Sequence, residues 1–136
     1  MKGLCRCTLA INGFEVEAEY SADTVCRIFL PLLNQLSARK AEKNDRLIVY
    51  LVAPPGAGKS TLAAYLERLS VRCAALTPVQ ALGIDGFHYH ADYIQSHTVA
   101  RDGIPIPMRE VKGCPESFDI SKLRAAIESL EGEGVL

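Results

Sequence analysis

Residues 53–61 combine the residue types that bind phosphate, in the order A-P-P-G-A-G-K-S-T. Gly56 and Gly58 permit a tight turn with exposed backbone N–H groups, because glycine adopts positive φ without a steric penalty. Lys59 adds an ammonium group beside these amides, and Ser60 adds a hydroxyl. At the start of a helix such a loop binds polyphosphate, with the lysine on the outer phosphates and the hydroxyl on Mg²⁺. The segment therefore predicts a site for ATP or a related nucleoside triphosphate with Mg²⁺.

The predicted nucleotide contacts are seven consecutive residues: Pro55, Gly56, Ala57, Gly58, Lys59, Ser60 and Thr61. The strict pattern G-x-x-x-x-G-K-[ST] has glycine where this chain has Ala53, a mild departure. The alternative interpretation is a Gly-Pro turn beside an incidental Lys-Ser pair. An apolar run before the segment and a helical pattern after it favour the phosphate loop.

Asp85 is the second candidate, since it ends another apolar run at an Asp-Gly pair. In open α/β sheets, ligands bind beyond the carboxyl ends of the strands. A carboxylate there can accept the proton of an attacking hydroxyl, or help to hold Mg²⁺. The alternative is that Asp-Gly only makes a turn. From the residues alone, the two interpretations are equally good.

Six further polar candidates follow Asp85: His88, His90, His97, Arg101, Arg109 and Lys112. The first two histidines have a spacing that suits zinc on a strand, but no other Cys or His stands at metal-ligand spacing, so zinc is not favoured. Contact with a polar substrate is the stronger interpretation for these two. The three basic residues can meet substrate or phosphate charge, but solvation on a loop is the default interpretation for each of them.

The composition narrows the class of partner. The chain has 136 residues, 49% hydrophobic and 23% charged, with a formal net charge of −1. Without a basic excess, counterion release supplies little affinity, so we expect a small-molecule partner and no nucleic acid. No apolar run is long enough to span a bilayer, so we expect no membrane association. Five scattered cysteines predict reduced thiols, and these features together favour a cytoplasmic location.

An N-terminal extension is predicted over residues 1–45. Residues 8–11 and 14–20 flank Asn12-Gly13, a pair typical of type I′ hairpin turns. A helix capped by Ser21 or Asp23 is expected to reach about Ala41, with a kink or a break caused by Pro31.

A second region, residues 46–136, carries the candidate site. Residues 47–52 and 79–84 are apolar runs that predict buried parallel strands, and residues 62–72 have helical spacing between them. This order forms a βαβ unit, so we expect an α/β fold. We predict a short helix within 86–100, a loop over 101–115 and a last helix. That helix would be capped by Asp119, with Ile120, Leu123, Ile127 and Leu130 facing inward and Gly132 as its stop.

Three motifs in order resemble the P-loop kinases that include uridine kinase, bacterial pantothenate kinase and phosphoribulokinase: P-P-G-A-G-K-S-T at 54–61, D-G-F-H at 85–88 and K-G-C-P-E-S-F-D at 112–119. The resemblance covers about residues 46–130, roughly the first half of such a kinase. It implies an incomplete three-layer α/β/α fold with parallel central strands. It also implies transfer of the γ-phosphoryl group of Mg-ATP to a hydroxyl of a small metabolite, namely a nucleoside, pantothenate or a sugar-like compound.

Residue by residue, the resemblance implies catalytic roles for Lys59 and Asp85, with Asp85 as catalytic base, and a Mg²⁺ contact for Ser60. Phe87, His88 and Tyr89 match a segment that lines the acceptor pocket. Lys112 matches a loop beside that pocket, and Asp119 suits a helix cap better than a catalyst. Cys114 stands where uridine kinases tend to carry a histidine, which weakens the nucleoside assignment.

Two parallel strands leave sheet edges that another copy of the chain can cover, so we expect that the chain can form a homo-oligomer. Two other functional classes stay open. One is a nucleotide-binding fragment without turnover, and the other is an ATPase or GTPase that drives a partner.

Overall fold

The structure, a computed structural model, describes residues 3–43 and 45–129. It divides into two units, Met1–Leu82 and Gly83–Leu136. Each unit contains a two-stranded antiparallel sheet together with helices, so the fold is mixed α/β. The predicted boundary between residues 45 and 46 stays a prediction.

The N-terminal unit begins with the predicted hairpin. Strand β1 (Leu4–Ile11) pairs with β2 (Phe14–Ser21), and Ile11 lies opposite Phe14. Between the strands, Asn12 has a φ of 51° and Gly13 a φ of 84°. A type I′ turn requires positive φ at both positions, which is why this Asn-Gly pair predicted the hairpin correctly.

Helical structure follows β2 directly and begins at the predicted cap. The Ser21 hydroxyl oxygen accepts a hydrogen bond from the backbone N–H of Thr24 at 3.0 Å, and it caps α1 (Ala22–Thr24). The chain continues through a π-helical turn (Val25–Phe29) into α2 (Leu30–Glu42).

Pro31 lies in the first turn of α2, where the missing N–H of a proline does little harm. Just before it, the Leu30 N–H donates to the Val25 carbonyl, five residues back. The interruption predicted at Pro31 therefore takes the form of a π-helical turn before the proline.

Helix α3 (Lys59–Arg72) matches the predicted helix and packs on the hairpin. The core of this unit consists of Leu9, Ala18, Val25, Phe29 and Tyr65. The rings of Tyr20, Phe29 and Tyr65 contact one another edge to face, with centroids 4.6–5.8 Å apart. These aromatic contacts hold α3 in place, and the candidate phosphate loop leads into the first turn of this helix.

The two predicted parallel strands are not confirmed in the described residues. Residues 47–52 and 79–83 have no regular secondary structure and belong to neither sheet, and Ile84 begins a 3-10 turn. The side chains of Tyr50 and Val52 are 84% and 86% exposed. A continuous apolar run indicates a need for burial, whereas a parallel strand also requires hydrogen-bonded neighbours from distant parts of the chain. The local pattern could not supply that second condition.

Segment 77–82 instead follows the helices of its own unit. The Thr77 N–H donates to the Ser37 hydroxyl at 2.9 Å, and the Val79 N–H donates to the Ser70 hydroxyl at 2.9 Å. Ser70 is 1% exposed and donates its own proton to the Glu67 carbonyl. Side-chain hydroxyl groups therefore satisfy backbone groups that a sheet would otherwise pair.

The C-terminal unit contains a second hairpin where the sequence predicted a loop. After a 3-10 turn (Ile84–Phe87) and α4 (Ala91–Ser96), strand β3 (Thr98–Arg101) pairs with β4 (Ile104–Pro107). The turn residues Asp102 and Gly103 have φ of 52° and 79°. The loop prediction over 101–115 was therefore wrong at its start, because the prolines of β4 concealed an Asp-Gly hairpin signal.

Short 3-10 turns at Met108–Val111 and Pro115–Ser117 lead to α5 (Ile120–Ser129), and Ile94, Val99 and Met108 form the core of this unit. Asp119 accepts the Lys122 N–H at 2.9 Å through its carboxylate, so the predicted cap is confirmed. The expected positions of Leu130 and Gly132 lie outside the described residues. Among the helices described, none has the length and apolar character needed to cross a membrane.

Candidate functional site

The glycine turn before α3 has the backbone that a phosphate loop requires. Gly56 has a φ of 77° and Gly58 a φ of 81°, both in the left-handed region. The Ala57 N–H donates to the Pro54 carbonyl at 3.3 Å and closes the turn. A Cβ atom added at either glycine would meet no atom within 4 Å. Backbone conformation, rather than crowding, is therefore the reason for glycine here.

Helix α3 starts directly after this turn. Gly58 is the N-cap residue, and its carbonyl accepts the Leu62 N–H at 2.9 Å. Gly58 has no side chain that could cap the helix, so the N–H groups of the first turn have no intrahelical acceptor. These N–H groups and the positive end of the helix dipole both point toward the loop. Anion binding requires this arrangement.

Lys59 closes over the loop. Its Nζ donates to the carbonyl oxygens of Ala53 at 2.8 Å and Pro54 at 3.0 Å, so the Lys59 side chain links the start of α3 to the N-terminal end of the turn. Phosphate oxygens are stronger acceptors than neutral carbonyls, because charge-assisted hydrogen bonds are roughly twice as strong. The ammonium group is therefore poised to exchange carbonyl contacts for phosphate contacts.

A Mg²⁺ ion would need ligands from the nucleotide as well as from the protein. The described part of the chain contains no group of three His, Cys, Asp or Glu side chains that could hold a metal. Ser60 is exposed in the first turn of α3 and offers one hydroxyl ligand. Mg²⁺ often binds through phosphates and one or two protein oxygens, so this sparse ligand set fits the ion.

Asp85 lies in the C-terminal unit, in the 3-10 turn Ile84–Phe87. Its backbone carbonyl accepts the His88 N–H at 3.4 Å, and its exposed side chain makes no hydrogen bond or ion pair within 3–43 and 45–129. The turn interpretation is thus correct for the backbone, while the carboxylate is free for chemistry. The catalytic role stays a prediction.

The structure brings the second and third motifs together. The Tyr89 N–H donates to the Ser117 carbonyl at 3.0 Å, and the Asp119 N–H donates to the Phe87 carbonyl at 2.7 Å. His88 lies opposite Phe118 in an antiparallel bridge, and their rings stack with centroids 3.9 Å apart. Segments 87–89 and 117–119, far apart in sequence, therefore lie side by side and form one surface, which we call the wall.

Ser117 joins this wall to the loop before it, and its role was missed from the sequence. The residue is 0% exposed. Its hydroxyl accepts the Gly113 N–H at 3.0 Å and donates to the Cys114 carbonyl at 2.7 Å. The Nδ1 atom of His88 lies 3.3 Å from both this hydroxyl and the Ser117 carbonyl.

These contacts select the tautomer of His88. A serine hydroxyl has one proton, and here that proton points to Cys114. The hydrogen bond between His88 and Ser117 therefore needs a proton on Nδ1, and in the neutral ring Nε2 is then an acceptor for a ligand proton. A serine within P-E-S-F-D gives no local signal of this burial, so a single sequence could not have revealed it.

Two of the three basic candidates, Arg101 and Lys112, differ in whether they form an ion pair. Arg101 holds Glu116 in a two-point ion pair at 2.5 and 2.9 Å. These hydrogen bonds lower the pKa of Glu116 to about 2. Arg101 is therefore engaged in fixing the 3-10 turn to β3, whereas exposed Lys112 has no ion pair among the described side chains.

The three histidines do not converge. His97 stacks on Tyr93 at 3.6 Å, and Tyr93 stacks on Tyr89 at 4.3 Å. His90 lies 3.5 Å from Asp92 on the surface, and His88 lies in the wall described above. These side chains form no group of three metal ligands within the described residues.

The structure shows a mixed α/β chain in which a glycine turn and Lys59 lie at the start of the long helix α3. The chain is 39% identical over 77 residues to a guanylate kinase of Bartonella quintana, covering 52% of this chain and 34% of that kinase. This partial similarity is consistent with a kinase-like, nucleotide-binding relationship.

A second relative has no assigned function. The chain is 35% identical over 116 residues to the uncharacterized protein YggC of Escherichia coli K12, covering 85% of this chain and 45% of YggC. The chain thus spans less than half the length of both relatives. No family model matches the sequence, and no solved structure matches the fold.

Proposed function

We propose that the chain binds a Mg²⁺-nucleoside triphosphate at residues 53–61 and acts as an ATP-dependent phosphotransferase on a hydroxyl of a small metabolite. The observation that carries the proposal is the loop itself. Two glycines at positive φ precede a helix N-terminus, and the Lys59 ammonium group lies across the loop mouth. The similarity to a guanylate kinase over 77 residues and the three motifs of the resemblance support it.

The loop would stabilise the phosphates by preorganised charge. The amides of Pro55–Thr61, apart from the proline, and the Lys59 ammonium group would contact the phosphate oxygens, and Ser60 would hold Mg²⁺. When it is bound, Mg²⁺ neutralises phosphate charge. Because Gly56 and Gly58 already have the positive φ that the turn requires, little reorganisation is needed, and the donors can act on charge that develops during transfer.

Asp85 would act on the acceptor. In the proposed reaction the acceptor oxygen attacks the γ-phosphorus in line, the bond from that phosphorus to the β–γ bridging oxygen breaks, and ADP leaves. The hydroxyl proton passes to the Asp85 carboxylate, which has no competing partner in the described structure. Phosphoryl transfer is catalysed mainly by positioning and electrostatics, so one carboxylate and one ammonium group suffice for the chemical roles.

The wall of the C-terminal unit would bind the acceptor. Phe87, His88 and Tyr89 form it with 117–119, and Lys112, which has no ion pair with another described side chain, lies in the loop that leads to it. In the neutral ring, the Nε2 atom of His88 would accept a hydrogen bond from an acceptor hydroxyl. A nucleoside, pantothenate and a sugar-like compound all offer such a hydroxyl, so the proposal includes all three.

We extend the proposal to the fold. Residues 47–52 and 79–84 would be parallel strands of a P-loop-type three-layer α/β/α core in the assembled protein. Their exposed apolar side chains support this, since Tyr50 and Val52 would otherwise face water. A second copy of the chain could cover them, and light scattering during size-exclusion chromatography would detect that dimer.

A nucleotide-binding fragment without turnover is the alternative. Measurement of ADP formation separates the candidates. The kinase predicts ADP only when a nucleoside, pantothenate or a sugar is added. The fragment predicts nucleotide binding without ADP, and ADP without any acceptor would indicate an ATPase instead.

A further inference from the structure

A groove in the N-terminal unit lies away from the candidate phosphate loop. It runs between β1 and the second half of α3 and has a volume of about 220 Å³. Drug-sized ligands fill pockets of roughly 300–1,000 Å³, so this groove suits a smaller metabolite. With a rise of about 1.5 Å per residue, Arg68 and Arg72 lie roughly 14 and 20 Å along the helix from Lys59. A ligand here would leave the phosphate loop open.

The floor of the groove is apolar. Val25 and Tyr65 are buried core residues, and Leu69 is half-buried beside them. The thiols of Cys5 and Cys7 also line it, from the face of β1 that packs toward the core. Burial raises the pKa of Tyr65 above 10.0, so its hydroxyl remains a neutral hydrogen-bond donor at neutral pH.

The rim of the groove carries three arginines, and two of them form no ion pair with another described residue. Arg6 forms an ion pair with Glu19. Arg68 donates through one terminal nitrogen to the Thr8 carbonyl at 2.7 Å, which fixes its guanidinium across β1 and leaves its other N–H groups available. Arg72, exposed in the last turn of α3, has no ion pair within the described residues.

These charges decide the sign of the charge that a ligand in the groove should carry. The C-terminal end of a helix carries a partial charge of about −0.5, which opposes an anion. Two unneutralised guanidinium groups exceed it about fourfold, and a guanidinium binds carboxylate and phosphate in a two-point geometry. An apolar floor below paired arginines therefore selects a molecule with one anionic end and one apolar end.

We propose that this groove binds a small organic oxyanion, a carboxylate or phosphate monoester, that carries an apolar group. Its oxyanion meets Arg68 and Arg72, and its apolar group lies on Tyr65 and Leu69. The site is separate from the proposed nucleotide site and does not depend on the proposed function.

The cysteines provide a local readout. Cys5 and Cys7 line the groove, whereas Cys26 is exposed elsewhere. The rate of alkylation by iodoacetamide is measured for each cysteine by peptide mass spectrometry, with phenyl phosphate, benzoate or benzyl alcohol added. An oxyanion in the groove slows alkylation of Cys5 and Cys7 by at least ~3-fold near saturation, because it covers them, and leaves Cys26 unchanged.

The arms of the experiment separate the ligand sources. Protection by phenyl phosphate alone assigns a phosphate monoester, and protection by benzoate assigns a carboxylate. Protection by benzyl alcohol to the same extent would overturn the proposal, since no oxyanion is then required. Absence of protection by both anions at millimolar concentration would overturn it as well.

Two variants test the role of the arginines. Arg72→Gln should raise the half-protecting concentration by about 5–10-fold, because it removes a charge-assisted hydrogen bond. Arg72 is exposed and is not needed for packing, so this variant keeps the fold even where Arg68→Gln loses the bond to Thr8. Lys59→Ala should leave the protection intact. Equal protection in Arg72→Gln, or its loss in Lys59→Ala, would contradict the proposed site.

Discussion

The two units hold their candidate residues in opposite ways. In the N-terminal unit, α3 packs on a core that includes Leu9, Phe29 and Tyr65. The glycine loop before α3 lies outside this core. In the C-terminal unit the motif residues are themselves the structure, since Ser117 is fully buried and His88 stacks on Phe118. Substitutions in the first unit can therefore change function without changing stability. In the second unit this is possible at only some of the motif residues.

The largest expected effect is on turnover and comes from Asp85→Asn. The amide has the same shape as the carboxylate but accepts no proton, so acceptor-dependent ADP formation should fall about 100-fold or more. Because Asp85 is exposed and its side chain has no partner in the described structure, the melting temperature should stay the same.

Asp92→Asn is the matched control for this change, as Asp92 is an exposed carboxylate of the same unit. Its ADP formation should equal that of the unaltered protein. Full activity in Asp85→Asn would remove Asp85 from the reaction and would leave the C-terminal unit without a separable functional residue.

Ser117→Ala should destabilise the C-terminal unit by about 1–3 kcal/mol, because the fully buried Ser117 hydroxyl no longer joins the Gly113 N–H to the Cys114 carbonyl. Amide hydrogen exchange at Gly113 and Tyr89 measures this change where it occurs. Exposed Ser121→Ala should leave exchange unchanged. Equal exchange in the two variants would show that Ser117 does not hold the wall.

Gly58→Ala should destabilise the loop by about 1–2 kcal/mol, since alanine at a φ of 81° is strained even without a clash. Gly83→Ala is the control, because Gly83 has a φ of −81° and also has open space around its Cα. Urea unfolding compares the two variants. If they lose the same stability, the positive φ of Gly58 is not a requirement of the loop.

The smallest effect concerns acid stability. Arg101 holds the pKa of Glu116 at about 2, below its ordinary value of 4.5. A lowered pKa in the folded state adds stability that is complete above about pH 4.5 and is lost as the pH falls towards 2. Both side chains are about two-fifths exposed, so the contribution is small and screened by salt.

Glu116→Gln should therefore reduce stability at pH 6 slightly and show a shallower loss between pH 4.5 and 2. Glu110→Gln, on the exposed 3-10 turn nearby, should keep the full acid dependence. Urea unfolding along a pH series measures both variants. A variant at Glu116 that keeps the same acid dependence would rule out the ion pair as its source.

Local signals predicted most of what the structure shows. The Asn12-Gly13 turn, the Ser21 and Asp119 caps and the helix after the glycine loop each depend on a few neighbouring residues, and each is confirmed. The hairpin around Asp102-Gly103 had an equally local signal that the prolines of β4 obscured.

Features that depend on distant residues were not predictable in the same way. Residues 47–52 were expected to pair in a sheet, but strand pairing is decided by partners elsewhere in the chain. The burial of Ser117 and the two-point pairing of Arg101 with Glu116 likewise join residues separated in sequence. Of the site, the loop was therefore readable from the sequence, while the wall emerges only from the fold.

Calorimetric titration of Mg-ATP into the unaltered protein, Lys59→Ala and Lys43→Ala tests the central claim most directly. Lys43 is an exposed lysine at the end of α2, so its loss controls for net charge. We predict saturable binding to the unaltered protein and to Lys43→Ala, and binding at least about 10-fold weaker in Lys59→Ala. Equal affinity in all three proteins, or no binding of Mg-ATP at millimolar concentration, would contradict a phosphate site at the start of α3.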